Sequence, residues 1–138
     1  MNPEEEIEKG IKLLDPTLNE FGFRFKLDAP GASSGGRFCA GFYEKENRRL
    51  FISVRYSLGC VEYELGSDRI GHADYMRAIG VKGAYPGFSE NTFGAFEHLL
   101  QDLQLHADVF LKGSNDEIKK IFTLAKNTPK KKGFSGLS

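Results

Sequence analysis

The chain has no tryptophan, only two cysteines and three histidines, and no excess of either charge: 19 Lys and Arg balance 19 Asp and Glu. Each scarcity excludes something. Two cysteines, Cys39 and Cys60, cannot build a disulfide framework, and neither sits in a C-x-x-C. A net charge of zero lacks the basic excess of a dedicated nucleic-acid binder. It also supplies no long-range field toward anionic membranes. No apolar run approaches the roughly 20 residues of a membrane span. The opening MNPEEEIEKG is acidic where a secretory signal is basic and then apolar. The expectation is a soluble cytoplasmic protein that touches neither nucleic acid nor membrane and needs no cofactor.

What is present is aromatic. Among 138 residues stand 12 Phe and 5 Tyr, enough for an aromatic-filled core. The length suits one domain, assigned to residues 1–127, with 128–138 (TPKKKGFSGLS) expected to be a disordered tail.

The first segment has helical spacing. Asn2 can cap, Pro3 suits the first position, Glu4 to Glu6 face the positive dipole end, and Ile7, Ile11 and Leu14 form one stripe. Asp15-Pro16 is expected to end it. Phe21, Phe23, Phe25 and Leu27 then alternate with polar residues, as in a half-buried strand. Asp28 to Gly36 (DAPGASSGG) consists of turn formers and is expected to be a loop. Three further strands alternate: Phe38, Ala40, Phe42; Leu50, Ile52, Val54, Tyr56; and Val61, Tyr63, Leu65. Residues 44–49 and the Leu58-Gly59 pair are the expected turns, the second with a longer or bulged loop as the other option. Gly71 to Ile79 reads as a short helix stopped by Gly80, and a long helix carries Phe93, Phe96, Leu99, Leu100 and Leu103, breaking near Leu105 or reaching Leu111. Ser114 and Glu117 form a capping box for a last helix. The predicted class is α+β: a four-stranded antiparallel meander, an N-terminal helix, and three C-terminal helices packed on one face.

One sheet face is then left over. Its expected outward residues are Arg24 and Lys26; Cys39, Gly41 and Tyr43; Phe51, Ser53 and Arg55; and Cys60, Glu62 and Glu64. A two-residue turn at 58–59 would set Arg55 opposite Glu62 and Ser53 opposite Glu64. Tyr43, Phe51, Arg55, Glu62 and Glu64 are therefore the candidate partner-binding residues, aromatics amid paired charges. The competing reading is an ordinary solvated face. A second candidate is a ligand pocket at 72–89 with His72, Asp74 and Tyr85 at its mouth, where His-x-Asp suggests acid–base chemistry; no G-x-S-x-G accompanies it. His98, Asp102 and His106 share one helix face and all can ligate metal, but the face points away from the apolar stripe and reads as solvated, so no metal site is assigned. The glycines of 31–36 lack the Gly-Lys-Ser/Thr of a phosphate loop.

The run Tyr85-Pro86-Gly87-Phe88-Ser89, leading into Phe96, Leu99, Leu100, Asp102 and Leu103, then Asp108, Phe110 and Leu111, with His72-x-Asp74-Tyr75 upstream, resembles small bacterial proteins of the kind found as immunity partners of polymorphic toxins. That resemblance implies a protein without catalytic residues that binds and blocks a toxin domain. The expectation is a non-enzymatic protein-binding domain. The alternatives are a small-ligand binder or hydrolase and a homodimeric interaction protein.

Overall fold

Between residues 24 and 71, period-two alternation resolves into five strands: β1 (Arg24–Ser33), β2 (Gly36–Lys45), β3 (Arg48–Val54), β4 (Leu58–Leu65) and β5 (Asp68–Gly71). Among the described residues five helices accompany them: α1 (Pro3–Glu20), α2 (His72–Ala78), α3 (Ala95–His106), α4 (Asp108–Lys112) and α5 (Asn115–Asn127). The computed structural model describes residues 3–33, 36–54, 58–82, 84 and 94–127, with backbone alone for 29–33 and 36–37. The strands lie in chain order, each antiparallel to the next. The class is α+β with an open antiparallel sheet.

The fifth strand is an addition to the predicted meander. Gly66, at φ +60, and Ser67 form the two-residue turn that lays β5 beside β4. The expected loop at 28–36 is a further correction. Its residues continue the β1–β2 pairing from Ala29↔Ala40 to Ser33↔Gly36, past a bulge at Asp28. The turn at 58–59 is corrected too: Leu58 is a buried residue of β4, and Val54 pairs with Leu58 across a second irregularity. Glu62 therefore lies opposite Phe51, and Glu64 opposite Arg49, rather than opposite Arg55 and Ser53.

α1 runs through Pro16 to Glu20 instead of stopping at Asp15. The proline forfeits one backbone hydrogen bond, but Leu14 and Leu18 on either side of it are fully buried, and burial of two leucines outweighs that loss. The helix closes on Gly22 at φ +93: Phe23 N–H reaches Leu18 O at 3.0 Å and Gly22 N–H reaches Asn19 O at 3.0 Å. At the other end of the chain the capping box forms as expected, Ser114 N–H to Glu117 Oε1 at 2.8 Å and Glu117 N–H to Ser114 Oγ at 3.1 Å. The long helix breaks at Ala107, giving α3 and α4. Phe93, expected on this helix, lies outside the described residues.

One face of the sheet carries the core row Phe25, Tyr43, Leu50, Tyr63 and Ile70, one residue per strand at matching register. α1 packs on the β1–β3 half, and α2 and α5 on the β4–β5 half. Tyr63 stacks on Tyr75 (4.5 Å) and meets Phe110 edge-on (4.7 Å). Arg48 is buried, and its guanidinium donates to the carbonyls of Phe110 (2.9 Å) and Gly113, while Lys45 donates to Leu111 O at 2.7 Å. Two cations thus satisfy the carbonyls left open at the end of α4. Among the described residues, no helix is long and apolar enough to cross a membrane.

α1 and α3 meet at Gly10. A Cβ there would lie 2.2 Å from Cε1 of the Phe96 ring. Elsewhere in a helix Gly→Ala gains about 1 kcal/mol. At this site we expect Gly10→Ala to lower stability by about 1–2 kcal/mol, because overpacking dominates. Urea melts of Gly10→Ala and of Gly10→Ala with Phe96→Leu check this: the second substitution should restore the helix-propensity gain. A stabilised single variant would mean the ring moves aside freely.

Candidate functional site: the outer sheet face

The other face of the sheet is built by the complementary parity. Its rows are Lys26, Phe42, Phe51 and Glu62, and then Arg24, Glu44, Arg49, Glu64 and Arg69. The second row alternates in sign across all five strands. From Glu44 onward its side chains join into one chain of ion pairs with the first row: Lys26–Glu44 (2.7 Å), Glu44–Arg49 (3.0 Å), Arg49–Glu64 (3.6 Å), Glu64–Arg69 (2.9 Å) and Arg69–Glu62 (3.1 Å); Arg24 instead donates to the carbonyls of Phe23 (3.0 Å) and Asn19 (3.3 Å). Lys26 and Arg49 hold the Glu44 carboxyl below its usual range, and Glu64 raises Arg69 further. Beside the chain, Phe42 and Phe51 are cross-strand partners with ring centroids 5.2 Å apart. The Arg49 guanidinium stands 4.8 Å over Phe42, and that of Arg69 4.4 Å over Phe51. Both rings remain partly exposed. These recorded contacts run among sheet side chains, while the described helices lie on the opposite side.

Of the predicted partner-binding residues, Phe51, Glu62 and Glu64 occupy this face. Tyr43 does not, which corrects its expected placement. It is fully buried in the core row, and its hydroxyl donates to Asp15 Oδ1 of α1 at 2.6 Å. Cys39 and Gly41 share its inward parity and are buried as well. Gly41 makes room for the Phe25 ring, whose Cζ lies 2.3 Å from where a Cβ would stand. Arg55 lies outside the described residues. Cys60 faces outward and is exposed, so the two cysteines point to opposite sides of the sheet. Phe42, Glu44, Arg49 and Arg69 are the face residues that the sequence reading missed.

The second candidate comes apart. His72 turns into the core at 2% exposure, whereas Asp74 is partly exposed and pairs with Arg77 at 2.9 Å. Tyr85 lies outside the described residues. His72 instead meets residues from the third constellation. Its Nδ1 lies 2.8 Å from the Tyr63 hydroxyl, and its Nε2 lies 2.9 Å from Asp102 Oδ2; His98 Nε2 is 3.8 Å from Asp102 Oδ1. In the neutral imidazole the Tyr63 hydroxyl donates to Nδ1 and Nε2–H donates to Asp102, so every proton has an acceptor. The expectation of a solvated His98–Asp102–His106 face is corrected for its first two residues: His98 and Asp102 are buried, because α3 buries a wide arc that includes Phe96, Leu99 and Leu103, while His106 remains partly exposed.

This Tyr–His–Asp chain ties β4, α2 and α3 together. It contains no activated nucleophile. Among the described residues no group of three or more His, Cys, Asp and Glu is placed to hold a metal ion. Compared with known proteins, the chain matches no family model, no curated protein and no solved structure.

Proposed function

We propose that the protein is a non-enzymatic protein-binding domain and that its partner docks on the outer face of the sheet. The observation that carries the reading is the partly exposed Phe42–Phe51 pair, uncovered by any described helix and flanked by a continuous chain of ion pairs. Aromatic rings with arginines over them are the residue types that anchor protein interfaces. The charges are already paired along the sheet, so a partner covering them does not isolate a single ion, and the alternating signs give it a fixed register. Following the resemblance of the second half of the chain to immunity partners of toxins, we take the partner to be a toxic enzyme domain that docking blocks.

The test is a tagged pull-down at low salt from cells that produce the protein, with wild type, Phe51→Ala and Arg49→Glu side by side. A stoichiometric partner should be captured by wild type and lost from both variants, with melting temperatures shifted by no more than a few degrees. Retention by both variants would take this face out of consideration. A partner without toxic activity would leave the binding face standing and remove the neutralising role. A concentration-dependent dimer in sedimentation, abolished by the same substitutions, would reassign the face to self-association.

A further inference from the structure

The edge of the sheet carries a different surface. β1 has β2 on one side and, among the described residues, no strand on the other. Between this edge and the N-terminal half of α1 runs a groove of about 340 Å³, near the lower end of the roughly 300–1,000 Å³ of specific pockets. Its floor is apolar: Ile7 and Ile11 from α1, Phe25 and Leu27 from β1. Leu27 has the inward parity of Phe25 yet is 57% exposed, because it lies where the groove replaces a helix contact. The rim on the α1 side is Glu4, Glu5 and Glu8.

We infer that this groove takes an extended peptide segment, paired with β1 as a sixth strand, whose inward side chains are apolar and basic and whose outward side chains are acidic. The chemistry of each side comes from what faces it. Inward residues meet the Ile7–Phe25–Leu27 floor and the glutamate rim. Outward residues lie beside Lys26, which is exposed on the outer face and paired there with Glu44, and extend its alternating charges by one more strand. The pairing length is also set by the chain. Past Leu27 the edge is interrupted by the bulge at Asp28 and by Pro30, which has no N–H to offer, so only Arg24–Leu27 is available. A second copy of this chain does not fit: antiparallel β1 pairing places Arg24 and Lys26 against their own copies and brings no cation to the glutamates. The occupant is therefore a different segment, read by strand addition with pockets for alternate side chains. This surface is separate from the Phe42–Phe51 face and does not depend on it.

Two fluorescently labelled probes of identical composition test the inference by anisotropy: Lys-Glu-Phe-Glu-Lys, whose lysines and phenylalanine share one face, and Glu-Lys-Phe-Lys-Glu, with the charges exchanged. The first should bind saturably, and the second at least about tenfold more weakly, the scale of one misplaced anchor. Leu27→Lys and Glu8→Lys, both at exposed positions, should each weaken the first probe about tenfold, and Phe51→Ala should leave it unchanged. N-methylation of the probe's Phe should abolish binding if it pairs as a strand. Equal affinity for the two orders, no saturable binding of either, or indifference to N-methylation would each overturn the proposal.

Discussion

Asp102→Ala should be among the most damaging single substitutions in the chain, lowering stability by about 2–4 kcal/mol. The buried carboxylate accepts the Nε2–H of His72, itself 2% exposed, and stands between His72 and His98. Truncation leaves a donor in the core with no acceptor, and the loss is then the full desolvation cost of that group rather than the modest net value of a hydrogen bond. Asp102→Asn separates the two contributions. Its carbonyl can accept the same proton at nearly the same geometry, so its cost should be about 1 kcal/mol. Urea unfolding midpoints at neutral pH measure both. A loss below about 0.5 kcal/mol for Asp102→Ala would mean that the Tyr63–His72–Asp102 chain does not hold α2 and α3 to the sheet. Equal losses for the two variants would assign the effect to the carboxylate charge.

That chain also shows where sequence reading stops. His72, His98 and Asp102 were each recognised as chemically able, but in two separate constellations, because spacing along one helix reveals only that helix's face. Joining them requires knowing that α2 follows β5 directly and that α3 returns alongside it, which depends on the fifth strand. The signal for that strand was present: Gly66-Ser67 between Leu65 and Ile70 is a two-residue hairpin turn. Once β5 is placed, His72 follows it directly and meets Tyr63 of the adjoining strand.

Strand β2 was ambiguous for a physical reason. Phe38, Ala40 and Phe42 on one parity and Cys39, Gly41 and Tyr43 on the other are comparably apolar, so alternation alone cannot choose. The neighbouring strand decides. Leu50, Ile52 and Val54 are unmistakably inward, and a two-residue turn at Glu46-Asn47 places Tyr43 opposite Leu50. The four-strand order, the capping box at Ser114, the end of α2 at Gly80 and the outward placement of Phe51, Glu62 and Glu64 were legible because each rests on local turn chemistry or an unambiguous alternation. The continuation of α1 through Pro16 was not, since propensity there is overridden by burial of Leu14 and Leu18. Inverting β2 exchanges Tyr43 for Phe42 on the outer face, so the proposed surface keeps its character, aromatic amid charge, while its anchor residue changes.

The same three tyrosines that fill the core should make the protein unfold in alkali. Burial, with smaller contributions from neighbouring acidic groups, raises Tyr43 and Tyr63 well above the ordinary phenol range, and burial pushes Tyr75 up to about 12. The sign follows from linkage. The native state holds these phenols protonated while the unfolded chain ionises near about pH 10, so their contribution is complete below that pH and is lost as pH rises from it through the raised native values. For Tyr75 alone, a native value of about 12 against about 10 in the unfolded chain means that on the order of 3 kcal/mol is lost by the time both states have ionised, a large share of the roughly 5–15 kcal/mol that holds a domain together. Tyrosinate absorbance and far-UV circular dichroism, followed together from pH 9 upward, should therefore show three of the five tyrosines ionising only as the helical signal disappears. Tyr43→Phe removes one of these groups along with its bond to Asp15, and Tyr63→Phe removes another along with its bond to His72. Both variants should be weaker at neutral pH yet lose less additional stability between pH 9 and 12. Smooth non-cooperative ionisation of all five tyrosines near pH 10, with the helical signal intact, would mean that Tyr43, Tyr63 and Tyr75 are not shielded by this core.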